Sequence, residues 1–220
     1  MSQSYINAQN HNKIHDSLVE LFYYAHYKDY LGNETFEEII YKPKLTIWEI
    51  DKRQQKCEII YSVCDSIVSK IPNPINHKKG IRVSSKATSG YIDDSTSYWM
   101  HPFRSNQYIY TEIVPFPMIY FNKLFLGAKW NSNTIILFGW GKLKGKVSNS
   151  YEVIGSENYE LDGKTISNCT LISAIGEHNK LGKSSLIYLF HENYGILYMK
   201  YVIYNGVTIN FNLTSVKPSF

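Results

Sequence analysis

Two dipeptides, Asp162-Gly163 and Asn205-Gly206, constrain this chain more than any other feature. Each sits between short runs of β-forming residues: Asn158–Leu161 and Lys164–Ser167 around the first, Val202–Tyr204 and Val207–Ile209 around the second. Asp-Gly and Asn-Gly favour two-residue hairpin turns, because both central residues of a type I′ turn need positive φ. After the second turn, Val207, Ile209, Phe211 and Leu213 alternate with Thr208, Asn210, Asn212 and Thr214. That pattern describes a strand with one dry face and one wet face. The strand before it repeats the pattern with Leu197, Met199, Tyr201 and Ile203, and Leu186–Phe190 forms another beyond the turn His191–Gly195. Consecutive hairpins need no crossover helices, so the C-terminal half reads as an antiparallel meander and a parallel α/β fold is disfavoured.

Composition agrees. Of 220 residues, 44% are hydrophobic and 19% charged, enough to build a core. The 19 tyrosines suit half-buried pleated surfaces, where the ring packs and the hydroxyl stays wet. No run of about 18 apolar residues marks a membrane-spanning helix. The net charge of +4 is dispersed along the sequence, which argues against a nucleic-acid binder.

The first half is less regular. Ile14, Leu18, Leu21, Phe22 and Ala25 stand at helical spacing behind a capping Asn12, predicting a helix over Asn12–Ala25. Aromatics from Phe22 to Tyr30 favour a switch to strand before the turn Leu31–Glu34, and Thr35–Ile50 is β-rich with Pro43 at an edge or bend. In Cys57–Ile71 the period says helix while the β-branched composition says strand; strand is preferred. Ile71–Gly80 reads as loop, Gly90–Arg104 as a structured connection, Gln107–Val114 and Thr134–Trp140 as strands, and Pro115-Phe116-Pro117 as a fixed bend. The fold class expected is mainly β (α+β): a curved antiparallel sheet or incomplete β-barrel with an N-terminal helix. Residues 1–12 form a flexible lead-in and residues 13–220 a single β-rich domain.

Chemistry-bearing motifs are sparse. Cys57, Cys64 and Cys169 show no metal-binding spacing and read as buried thiols, although Cys169 could bridge to either of the others. His11 and His15 would share a helical face but lack a third ligand, so no metal is expected. Gly182-Lys183-Ser184-Ser185 resembles a phosphate loop only superficially: Glu177 stands where the upstream glycine belongs, and a strand follows. His101 with Asp93 or Asp94 could serve acid–base chemistry, but adjacent acids beside Ser95 and Thr96 also make a turn. The hexapeptide Trp99-Met100-His101-Pro102-Phe103-Arg104 stands out. It can recognise a ligand through indole and guanidinium, or seal one end of a barrel with Arg104 paired to a nearby acid. No cofactor is implied.

Trp99, His101, Pro102 and Arg104, then Pro115-Phe116-Pro117, Gly127-Ala128-Lys129-Trp130, Cys169, and the strand–turn–strand from Tyr194-Gly195 to Leu213 make a pattern spanning residues 20–216. It resembles a group of uncharacterised bacterial exported proteins and lipoproteins, and more distantly the half-barrel carriers of lipoproteins and lipids. The resemblance implies a curved sheet around an apolar cavity, an envelope location, an apolar ligand or a protein partner, and no catalytic residues. The N-terminus carries no export signal, so periplasm or envelope is expected if a signal has been removed, and cytoplasm otherwise. The leading expectation is a non-enzymatic protein binding an apolar or lipid-like ligand in the concave face of the sheet. Tyr98, Trp99, His101, Arg104, Trp130 and Trp140 are the candidate lining residues. The alternatives are an interaction module with a filled core and a Tyr-rich surface, and a hydrolase using His101 with Asp93 or Asp94.

Overall fold

The computed structural model describes residues 19–48, 51–62, 75, 81, 83–137 and 139–218. The lead-in, His11, His15, Cys64 and most of the segment from 63 to 80 lie outside them. Twelve strands form one antiparallel sheet: β1 (Val19–Lys28), β2 (Glu34–Ile47), β3 (Gln55–Tyr61), β4 (Lys86–Asp93), β5 (Ser97–Met100), β6 (Met118–Tyr120), β7 (Lys129–Ile136), β8 (Gly145–Leu161), β9 (Lys164–His178), β10 (Gly182–His191), β11 (Gly195–Val202) and β12 (Thr208–Pro218). Their order is β6-β5-β4-β3-β2-β1-β12-β11-β10-β9-β8-β7. Two six-stranded meanders are therefore zipped together by β1 against β12, and β6 and β7, consecutive in sequence, lie at opposite edges.

That order forces the sheet to curl. Twelve strands laid flat would put β6 and β7 about 53 Å apart. The link from Tyr120 to Lys129 reaches at most about 32 Å when fully extended, and here it is bent into turns. The edges must come round toward each other. The link is pinned on both sides: the Phe121 amide donates to the Thr96 carbonyl (3.1 Å), the Gly127 amide to Val153 (2.8 Å) and the Val153 amide to Ala128 (3.0 Å). The result is a curled half-barrel.

Period-two alternation fills its concave side. Leu21, Tyr23, Ala25 and Tyr27 of β1, Ile39 and Tyr41 of β2, Met199 and Tyr201 of β11, and Ile209, Phe211 and Leu213 of β12 are all buried. The Asp162-Gly163 hairpin forms as expected, with φ of 51° and 72°.

Several expectations are corrected. Val19–Ala25 form strand, not the end of a helix. The helical spacing of Leu18, Leu21, Phe22 and Ala25 coexists with the period-two series Leu21, Tyr23, Ala25 and Tyr27, and pairing with β2 on one side and β12 on the other favours the latter. Gly90–Arg104 is no irregular connection but contains the β4–β5 hairpin. Gln107–Val114 is not a strand: Asn106–Ile113 form a 3-10 helix within the concavity. Asn205-Gly206 belongs to a longer loop, in which the Gly206 amide donates to Ile203 (2.9 Å) and the Ile203 amide to Val207 (2.8 Å). β7 starts earlier than Thr134 and ends before Gly139. β3 meets the strand preference for Cys57–Ile71 as far as Tyr61. Pro43 lies in an inner strand, tolerated where the β2–β3 register breaks between Pro43 and Ile47.

Candidate ligand site

One irregular segment, His101–Pro117, occupies the concave face. Phe103 is fully buried, with ring centroids 5.0 Å from Tyr23, 6.2 Å from Tyr41 and 4.9 Å from Phe211. Tyr108 packs on Tyr27 (6.4 Å), Tyr61 (6.3 Å) and Phe211 (5.1 Å). The segment thus lies across β3, β2, β1 and β12. It closes on itself, with the Thr111 hydroxyl donating to the Phe103 carbonyl (2.8 Å) and Arg104 Nη1 2.8 Å from Glu112 Oε2. Asn106 adopts φ of 58°, a conformation few side chains favour, and its amide group bridges Ser84 in both directions (2.8 and 3.0 Å).

The segment also buries an acid. Glu37 of β2 is 8% exposed and accepts from Gln107 Nε2 at 3.1 Å. Burial pushes its carboxyl up to about 7, although the neighbouring Tyr108 and Gln107 side chains pull the other way.

Beyond the segment the two sheet edges face each other across a cleft of about 380 Å³. Trp99, Phe116, Met118, Tyr120 and Tyr151 supply apolar surface; Arg53, Ser97, Ser132, Asn133 and Thr134 supply polar groups. The lining comes from both meanders. The Tyr151 hydroxyl donates to the Phe116 carbonyl (3.1 Å), fastening the segment to β8, and the Tyr188 hydroxyl donates to the Met118 carbonyl (2.5 Å), fastening the start of β6 to β10. At the rim of the cleft Arg53 Nη2 lies 2.6 Å from Asp94 Oδ2. Burial raises the Asp94 carboxyl, but hydrogen bonds from Thr96 and Arg53 outweigh it and hold the group well below the usual range.

The six residues picked from sequence are distributed unevenly. Trp99 lines the cleft and meets His101 edge-on at 4.6 Å; both rings pack on Phe116 (6.0 and 5.2 Å). Trp130 stacks on the cleft residue Tyr151 (5.3 Å, 6°) and touches Tyr120. Tyr98 points the other way, into the core against Phe190 (5.9 Å). Arg104 is taken up by Glu112, and Trp140 stands outside the cleft, before the short 3-10 turn Gly141–Leu143. Sequence reading missed Arg53, Met118, Tyr120, Ser132, Asn133, Thr134 and Tyr151. Nothing local distinguishes them; only the meeting of two edges brings them together. Phe116, held between two prolines, had been legible as a bend but not as a wall.

The acid–base pairing is not assembled along this strand pair. The His101 amide donates to Gly90, so Asp93 sits three residues further along β4, about 10 Å away. Asp94 caps its own turn, accepting from the amides of Thr96 (2.9 Å) and Ser97 (3.0 Å). His101 Nδ1 is buried without a hydrogen-bond partner, and burial, then Arg104, pushes its pKa down to about 3. Cys57 and Cys169 are buried and unpaired, and burial pushes the Cys57 thiol up to about 12.

No family model and no curated protein matches this sequence. The fold, however, is shared. A Bacteroides fragilis protein described as exported, with a YmcC-like fold, superposes at a TM-score of 0.53, with 10% identity over 91% of this chain and 96% of that one. A protein described as a lipoprotein from Parabacteroides distasonis gives 0.47 at 10% identity, over 91% and 95%. The hypothetical lipoprotein YmcC of Escherichia coli gives 0.39 at 10%, over 92% and 85%. These are exported and lipoprotein-type proteins of the kind the sequence pattern resembles. At such identity the likeness is one of fold.

Proposed function

We propose that this chain is a non-enzymatic envelope protein that holds a lipid-like amphiphile. The apolar part enters through the cleft and lies beneath the His101–Pro117 segment. The polar part stays at the rim beside Arg53, Ser132 and Asn133. The observation that carries this reading is the two-sided lining of the cleft, aromatic and thioether on one side, guanidinium, hydroxyl and amide on the other. The aromatic wall belongs to the same irregular segment that fills the concave face, so a ligand and the segment compete for one apolar surface. The exported and lipoprotein-type descriptions of the solved proteins with similar backbones support the compartment.

The test is native mass spectrometry of the purified chain for a co-purified lipid, with displacement of a fluorescent fatty acid. Lipid adducts and saturable displacement support the reading. A protein that carries no adduct and leaves the probe silent refutes it.

The filled concave face favours a second reading, an interaction module. Its contact surface would be the convex stack of Tyr24, Phe36 and His26, where Tyr24 and Phe36 are 45% and 56% exposed. A probe-silent monomer that captures one defined partner through Phe36 would favour it.

A further inference from the structure

Among the described residues, antiparallel pairing puts four turns at one end of the half-barrel, on the side where β3 ends and β4 begins: Asp29–Asn33, Leu137–Lys144, Asn179–Leu181 and Ile203–Val207. They run side by side. A Cβ at Gly206 would lie 3.6 Å from Tyr30, and one at Gly182 3.8 Å from Tyr204. The Lys146 amide donates to Asn179 Oδ1 (3.1 Å) and the Asn179 amide to the Lys146 carbonyl (3.0 Å). The turns therefore make one continuous rim.

That rim exposes apolar tips, with Tyr30 at 63%, Leu31 at 71% and Leu137 at 67%, and Trp140, Leu181 and Tyr204 half-buried between them. It is also basic. Lys142, Lys146 and Lys180 are exposed, and none of them pairs with an acid among the described residues. The acid within these turns, Asp29, is engaged by the amides of Leu31 and Asn33 and by the Asn33 side chain. At the flanking strand ends Lys28 pairs with Glu34 and Lys183 with Glu177, so these charges cancel. The opposite rim also has an apolar tip, Phe125 and Leu126, but its described turns set Asp51, Asp94, Asp162 and Glu192 against Lys52, Arg53 and Lys123, so they carry no basic excess.

We propose that the Lys142–Lys146–Lys180 rim docks on an anionic lipid surface, inserting Tyr30, Leu31 and Leu137 at the headgroup level. Unneutralised lysines select for negative charge, and apolar tips with neighbouring Tyr and Trp suit the boundary between headgroups and acyl chains. A nucleic-acid backbone would match the lysines but leave the leucine tips in water. This docking is independent of the amphiphile reading: either can fail while the other stands.

The experiment is flotation of the full chain with phosphatidylcholine vesicles, with and without phosphatidylglycerol, at low and high salt. Binding should require phosphatidylglycerol and weaken with salt. A K142Q/K146Q/K180Q variant should bind roughly 100-fold more weakly, since each lysine near the surface contributes a comparable increment. L31S/L137S should also lose binding, while F125S/L126S at the opposite rim should behave as wild type. All seven positions are exposed, and unchanged thermal melts verify folding. Failure to bind either vesicle, full binding by the lysine variant, loss through the opposite-rim variant, or binding to duplex DNA without vesicle binding would each overturn the proposal.

Discussion

Replacing Glu37 with Gln tests how tightly the His101–Pro117 segment seals the concavity. Glu37 is 8% exposed, and its carboxyl rises from 4.5 to about 7, because the segment removes water from it. A rise of that size corresponds to about 3 kcal/mol at 1.36 kcal/mol per pH unit. Its sign follows from proton counting. Between about pH 4.5 and 7 the folded protein keeps a proton that the unfolded chain releases, so raising the pH favours unfolding. The stability associated with protonated Glu37 is complete below 4.5 and lost as the pH passes 7. Glu37→Gln keeps the shape, stays neutral and still accepts from Gln107. The variant should match wild type at about pH 4 and below, and exceed it by about 3 kcal/mol near pH 8. Urea unfolding followed by tryptophan fluorescence across that range measures the difference. Other titrating groups largely cancel in the comparison, including His101, which is held neutral when folded and takes up a proton only on unfolding in both proteins. A difference independent of pH would refute the argument, showing that water reaches Glu37 and that the segment does not seal the sheet.

Two further substitutions examine the same segment. Phe103→Ala should cost about 4 kcal/mol in urea unfolding, because Phe103 is fully buried among Tyr23, Tyr41 and Phe211, and a small apolar guest such as benzene should restore part of the loss. Arg104→Met should cost about 2 kcal/mol by leaving Glu112, 10% exposed, without its cation, and adding Glu112→Gln should recover part of that cost in a double-mutant cycle.

The parts legible in the sequence were those whose structure is decided locally. Asp162-Gly163 makes its turn because two adjacent residues accept positive φ, and Val207–Leu213 declares its dry face by alternation alone. Gln107–Val114 looked like a strand because Tyr108, Tyr110 and Ile113 suit one. A strand needs a free edge beside it, and the concavity offers side chains instead, so the backbone turns to local 3-10 bonding. Val19–Ala25 failed for a related reason: two periods overlap there, and only the strands on either side decide between them. The cleft was legible at one residue. Aromatic density marked Trp99, which lines it, and His101 and Trp130, which pack on lining residues, but the polar wall of Ser132, Asn133 and Thr134 looks like any exposed strand until β7 is seen facing β5 and β6. The basic rim was hidden in the same way, since Lys142, Lys146 and Lys180 are scattered in sequence and gathered by the turns.

Topology therefore accounts for the site as well as the shape. Because β1 pairs with β12, the middle of the chain must form both outer edges, and the chain must cross between them. It does so once, through Phe121–Ala128, which fixes how far the edges stand apart. His101–Pro117 leaves the sheet after β5, fills the concavity and returns to the same edge as β6. The cleft is what remains between that link and the filling segment, which is why its lining draws on both meanders and why one wall is the filling segment itself. A ligand entering there, as proposed, would meet the least regular backbone of the fold rather than a rigid sheet. The space open to it would be set by how readily Phe103 and Tyr108 give way, a property of packing that alternation along the strands does not encode.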